Sequence, residues 1–279
     1  MSTPLNFFLP GPAGDLFAMY YPPAGPDADG ISVLYVHPFA GEMLASRNMI
    51  ATLARRLSCA GVGVLTVDLF GCGDSSGDFS KARWDIWRED LSASVRWLRE
   101  QGRERICLWG LRLGALLAID FAAHSHDTYD KILLWQPVVR ADLMLDQFFR
   151  LNLVPENGNQ KIAARIVNQD LRRSLVAGEI VEADGYPVPS ELISAMDRLS
   201  IAPLGGVITA PIHWLEVVRR SEQPFHADNL HVVEEWTGKG VQVTLSKVLA
   251  APFWLFPYST ESGELADSVI TAFRSTSNG

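Results

Sequence analysis

Gly110, Leu111, Arg112, Leu113 and Gly114 make a Gly-x-x-x-Gly turn between a short apolar run, Ile106 to Trp109, and a helix-like run reaching Ala123. A strand that passes through two closely spaced glycines into a helix has the spacing of a nucleophile elbow, where the glycines leave room for one strained residue lifted above a sheet. The residue at the centre sets the chemistry. Here it is Arg112, and a guanidinium neither loses its proton at ordinary pH nor accepts a hydrogen bond, so it cannot attack a carbonyl. At a helix N-terminus it adds a full positive charge to the helix's partial one, which makes a receptor for carboxylate or phosphate. Two outcomes are open for that charge. Either Glu42 or Glu216 pairs with it and plugs the space above the elbow, or it faces a ligand, because a buried guanidinium left unpaired costs several kcal/mol.

Other chemistry-bearing residues cluster where apolar runs end. His37 follows the run Ile31 to Val36 and opens the segment HPFAGE; it either orients a ligand or closes the turn through hydrogen bonds. Gln136 ends another apolar run, where it is expected to face the same cavity as a ligand contact or to form a core hydrogen bond. Asp68 and Asp74 lie in DLFGCGDSSG, a turn-forming cluster in which short carboxylates bond to backbone N–H groups. Cys72 in Gly-Cys-Gly would need a nearby base to act as a nucleophile and reads as a small turn residue. His124 and His126 have HxH spacing but no further ligands nearby, so no metal site is assigned, and no cofactor is called for.

These residues need a scaffold. Asn6 to Leu9 and Asp15 to Tyr21 read as an antiparallel hairpin at a sheet edge. Ile31 to Val36, Val62 to Phe70, Ile106 to Trp109 and Lys131 to Val139 read as buried strands, separated by segments of helical periodicity. Among these, Trp84, Trp87, Leu91, Val95 and Leu98 form one helix stripe and belong to the core. Strands alternating with helices predict a doubly wound, mostly parallel α/β sheet, which binds ligands at the carboxyl ends of its strands. The rhythm breaks after Arg140. From Ala141 to Ala210 there are helical patches at Leu143 to Leu151 and Ile162 to Leu175, a turn at Asp184-Gly185 and a helix after Pro189-Ser190. This segment is expected to be a largely helical cap inserted between core segments 1–140 and 211–279. The core resumes with the strand Pro211 to Val218, a helix at Ala227 to Trp236, the strand Val241 to Leu249 and a helix carrying Leu265, Val269 and Phe273.

The chain has 279 residues, 48% of them hydrophobic, enough for a substantial core. Its net charge of −8 and pI near 5.3 argue against nucleic acid or an anionic membrane as main partner. No run approaches the ~20 apolar residues of a membrane helix. Cys59, Cys72 and Cys107 lack zinc or CxxC spacing and read as reduced thiols. The first residues lack a secretory signal pattern, so the expected location is cytoplasmic.

Taken together, the strand ending in His37-Pro38-Phe39, the DLFGCGDSSG turn and the elbow resemble the α/β-hydrolase superfamily. HPFAGE, GLRLGALLA, LLWQPVV and APFW further resemble one branch, the type 2 hydrolase-like proteins associated with exosortase A systems. That resemblance implies surface-protein sorting or exopolysaccharide systems as context, with their proteins as partners. It places the nucleophile position on Arg112, the acid near Arg219 to Glu222 or at Glu216, and the base within Ala250 to Trp254, where there is no histidine. The Ser-His-Asp mechanism is therefore not expected, since the triad acts as a unit. The resemblance also implies oxyanion-hole donors at the backbone N–H groups of Leu113 and Phe39. Three functions stay open: a receptor for a small anionic or acyl ligand, an ester or thioester hydrolase with relocated groups at His37 or Glu216, and a partner-binding protein.

Overall fold

The computed structural model describes residues 3–24, 30–153, 173–174, 177–256 and 263–274. In chain order the strands are β1 (Leu5–Pro10), β2 (Asp15–Tyr21), β3 (Ile31–Val36), β4 (Gly63–Val67), β5 (Arg105–Leu111), β6 (Lys131–Trp135), β7 (Ile180–Ala183), β8 (Tyr186–Pro189), β9 (Ile212–Val218) and β10 (Val243–Leu249). The helices are α1 (Gly41–Cys59), α2 (Trp84–Glu100), α3 (Leu113–His124), α4 (Ala141–Leu153), α5 (Ser190–Met196), α6 (Ala227–Gly238) and α7 (Gly263–Arg274).

Eight strands form the main sheet in the order β1-β2-β4-β3-β5-β6-β9-β10. The β1–β2 hairpin is antiparallel and sits at the edge, and β2 also runs antiparallel to β4. Every other pairing is parallel. The unbroken apolar runs explain the centre: all residues of β3 and β6 are buried, as strands covered on both faces must be. One core layer gathers the Trp84-Trp87-Leu91-Val95-Leu98 stripe of α2 with α3, α6 and residues of α4 and α5. The opposite layer packs Met49, Leu53 and Leu57 of α1 against Leu265, Val269 and Phe273 of α7. The sheet is thus doubly wound.

That winding also locates the site. From β3 the chain passes through α1 to β4 on one side, then crosses back through α2 to β5 on the other. The carboxyl ends of the neighbouring strands β3 and β5 therefore form a topological switch point, where such sheets leave a crevice. His37 and Arg112 stand there, one residue past each strand.

Between β6 and β9, α4 covers the helical patch expected at Leu143 to Leu151, and α5 follows Pro189 as expected. Apart from 173–174, the patch expected over 162–175 lies outside the described residues. This segment also contains a β element. β7 and β8 pair as a separate antiparallel sheet around Asp184 and Gly185, whose φ angles of 54° and 73° suit a tight hairpin turn. Among the described residues no helix is long and apolar enough to cross a membrane.

Candidate functional site at the strand-to-helix elbow

Arg112 follows β5 and caps α3 with φ 56° and ψ −117°, a backbone conformation that costs a non-glycine residue roughly 1–3 kcal/mol. Neighbouring chain holds it there. Arg112 N–H donates to Trp135 O at 3.0 Å, and Arg112 O accepts from Ala115 N–H at 3.1 Å and Val138 N–H at 3.2 Å. Both glycines are required by space. A Cβ at Gly110 would lie 2.3 Å from Ala115 Cα, and one at Gly114 would lie 2.3 Å from Val36 O and 2.4 Å from His37 O. β3 and the elbow are therefore in backbone contact.

The Arg112 side chain reaches two partners. Its Nε donates to Glu42 Oε1 at 3.2 Å, and its Cζ lies 5.6 Å from the centre of the Trp254 ring, within cation–π range. Glu42 belongs to the first turn of α1, directly after the HPFAG segment. Burial holds its carboxyl above the ordinary carboxylate range, only partly offset by the attraction of Arg112. The pair uses one nitrogen of the guanidinium. Among the described residues neither terminal nitrogen has a hydrogen-bond or ion-pair partner. Trp254 lies in the segment after β10, where a hydrolase's base would be looked for.

Arg112 borders two adjoining clefts. One, of about 630 Å³, is walled by Phe39, Ala45, Met144, Phe148, Trp254 and Leu255, with Glu42 and Asp184 as its carboxylates. The other, of about 500 Å³, includes Gln136, Arg140, Ser200, His226 and His231. Met144 and Gln147 of α4 line both, so the wall is continuous across the boundary.

Glu42 and Arg112 are brought together; Glu216 is not part of the pair. Its buried carboxylate accepts from Asn229 Nδ2 at 2.6 Å and from His226 N–H at 3.2 and 3.3 Å, tying β9 to the start of α6. Of the two pairings left open for Arg112, the one with Glu42 forms and the one with Glu216 does not, because the Asn229 side chain and the His226 N–H take the Glu216 carboxylate. His37 is likewise committed. Leu69 N–H donates to its Nε2 at 3.2 Å, which leaves Nδ1 protonated and donating to Pro38 O at 2.8 Å. Burial lowers its pKa, so the ring is neutral and turn-holding, and neither nitrogen is available as a base.

Gln136 makes the core hydrogen bond that was one of the two roles left open for it. Its Oε1 accepts from Val217 N–H at 2.7 Å, while the side chain lines the second cleft. The Phe39 and Leu113 N–H groups donate to no acceptor among the described residues, and the two residues share a narrow apolar crevice beside the elbow. Phe39 also lines the larger cleft. Asp68 holds its turn as expected, accepting from Asp74 N–H at 3.0 Å. Burial pushes the Cys72 thiol up, away from thiolate chemistry. His124 Nδ1 bonds to Asp120 O at 2.8 Å on its own helix. Sequence reasoning missed Trp254 as a partner of Arg112; its one signal was position, in the segment searched for a histidine.

A mostly parallel eight-stranded sheet with helices on both faces, and a strained elbow between its central strand and the following helix, define the α/β-hydrolase fold. Residues 33–183, more than half of the chain, match the serine aminopeptidase S33 family, and the chain belongs to it. No curated protein matches the sequence. Among solved structures, Est1E from Butyrivibrio proteoclasticus, determined with ferulic acid bound, superposes with a TM-score of 0.69 at 16% identity, over 96% of this chain and 97% of that one. Proline iminopeptidase from Mycobacterium smegmatis follows at 0.60 and 13%, covering 96% and 97%. The thioesterase domain from the curacin biosynthetic pathway also gives 0.60 at 13%, covering 98% and 100%. At such identities the likeness is one of fold.

Proposed function

We propose that this protein uses the hydrolase scaffold as a receptor, binding a small anionic or acyl ligand at Arg112 without hydrolysing it. One observation carries the reading. Arg112 occupies the elbow with its Nε anchored on Glu42 and its terminal nitrogens uncommitted, at the edge of a cleft of about 630 Å³. Anchoring one nitrogen fixes the plane of the guanidinium, and the free fork suits two oxygens of a carboxylate or phosphate. The N–H groups of Phe39 and Leu113 add neutral donors. In this reading 141–210 is the cap and 1–140 with 211–279 the core. The motifs HPFAGE, GLRLGALLA, LLWQPVV and APFW support placement in the exosortase A-associated branch, with a cytoplasmic location and partners from an exosortase or exopolysaccharide system.

The alternative, hydrolysis by groups relocated to His37 or Glu216, would have to work around the hydrogen bonds both side chains make. A fluorophosphonate probe together with p-nitrophenyl and thioester substrates tests the proposal. The expected result is no labelled serine and no turnover. A labelled serine, or ester turnover lost on Glu216→Gln or His37→Ala, would overturn it.

A further inference from the structure

Arg112 meets the cleft of about 630 Å³ in the company of carboxylates. Its Nε is bonded to Glu42 Oε1 at 3.2 Å. A Cβ placed on Gly41, the residue before Glu42, would lie 2.5 Å from Asp184 Oδ2, so the turn of the β7–β8 hairpin sets a second carboxylate against the chain next to Glu42. Among the described residues that line this cleft, Arg112 is the only cation, facing Glu42 and Asp184. Other titratable groups around Glu42 do not offset them. Further along α1, Arg47 is committed to Asp68 and Asp74, and Tyr35 of β3 stays a neutral phenol because burial pushes its pKa up.

This arrangement limits the charge a ligand can carry. An anion on the terminal nitrogens and the Glu42 carboxylate would share one guanidinium, close enough for each negative charge to oppose the other. A singly charged ligand leaves Arg112, Glu42 and itself with one excess negative charge, and a doubly charged one leaves two, in both cases beside Asp184. If Glu42 takes up a proton, Arg112 matches the singly charged ligand one to one, whereas the doubly charged ligand still has a charge to spare. We infer that the site selects a singly charged anion, a carboxylate rather than a phosphate monoester, and that Glu42 enforces the choice and takes up a proton as the anion binds. Burial already holds the Glu42 carboxyl above the ordinary carboxylate range, which makes that proton easier to gain. The inference deepens the receptor reading and rests on it.

The test is calorimetric titration of the full chain with octyl sulfate and octyl phosphate at about pH 8. The two share a chain and a tetrahedral head and differ by one charge there, since the second ionisation of a phosphate monoester lies near about pH 6. Octyl sulfate should bind at least about tenfold more tightly, and octanoate should follow octyl sulfate. Glu42→Gln keeps an acceptor for Arg112 Nε and removes the opposing charge. It should tighten octyl phosphate by about tenfold and bring the two ligands within about threefold of each other. Octyl sulfate keeps its charge at every working pH, so its affinity for the wild type should rise as pH falls from about 8 to about 6, because protonated Glu42 no longer repels it, and should stay flat in Glu42→Gln. Octyl phosphate binding as tightly as octyl sulfate in the wild type would overturn the inference without any variant. A ratio unchanged in Glu42→Gln, or an octyl sulfate affinity indifferent to pH, would also overturn it. If Arg112→Gln abolishes octyl sulfate binding in those cases, the receptor reading survives; if no titrant depends on Arg112, both fall.

Discussion

Arg47, in α1, and Arg112, at the elbow, each meet a carboxylate, yet the two pairs differ in how many nitrogens they use. Arg47 Nη2 donates to Asp68 Oδ2 at 2.7 Å, its Nη1 reaches Asp74 Oδ2 at 3.4 Å, and Asp68 also accepts the Asp74 N–H. The DLFGCGDSSG turn is closed on itself. Arg112 gives Glu42 one nitrogen and leaves two toward a cleft. An arginine with both terminal nitrogens committed ties two chain segments together, whereas one bonded through Nε alone keeps its terminal donors. The two arginines differ in the number of committed nitrogens and in exposure, 41% for the Arg47 side chain against 21% for Arg112.

Substitutions put that contrast to the test. The largest effect should come from the frame: Gly114→Ala forces a Cβ against the Val36 and His37 carbonyls. A loss of about 3 kcal/mol or more is expected in urea denaturation. Asp68→Ala should follow, since it removes an acceptor from Arg47 and from the Asp74 N–H. It should cost about 2 kcal/mol by the same measurement and leave anion binding intact.

Asp90 extends the contrast to a carboxyl with no cation bonded to it. One oxygen accepts Phe70 N–H at 2.8 Å, the other has no partner among the described residues, and burial raises the pKa from 3.8 to about 7. Between those values the folded protein keeps a proton that the unfolded chain has released. Stability from this group therefore falls as pH rises through the window. Asp90→Asn keeps an acceptor for Phe70 and should gain on the parent by on the order of 2 kcal/mol between about pH 4 and pH 8, read from denaturation midpoints. A constant difference across that range would show that the carboxyl titrates normally.

Much of this was legible in the chain. β3 and β6 announce themselves because burial on both faces demands unbroken apolar runs, and the α2 stripe because a long amphipathic helix repeats its signal. The elbow was legible because two glycines at fixed spacing answer a backbone contact that no other residue tolerates. The β7–β8 hairpin was only half legible. Asp184-Gly185 marks its turn, but strands of four residues with Pro187 and Pro189 are too short to show alternation. The partners of Arg112 were legible in part. Glu42 follows from its place in the loop beside the elbow. Glu216 is equally acidic and lies at a strand end, and only the fold shows Asn229 and the His226 N–H taking it. Trp254 is further still from sequence logic, since its contact depends on where the segment after β10 turns.

The stability effect of Arg112→Ala is expected to be the smallest, about 1 kcal/mol, because one hydrogen-bonded ion pair with Glu42 and the contact with the Trp254 ring are lost. Its anion response can therefore be read without a large change in the fold. Thermal melts of the wild type with rising phosphate or acetate should shift upward as anion binding favours the folded state, by about 1.4 kcal/mol at tenfold the dissociation constant. Arg112→Ala should melt modestly below the wild type, because its bond to Glu42 is lost, and show no shift with anion. An anion shift that persists in Arg112→Ala, or a variant that is strongly destabilised without ligand, would contradict the account by showing that Arg112 closes the site instead of opening it.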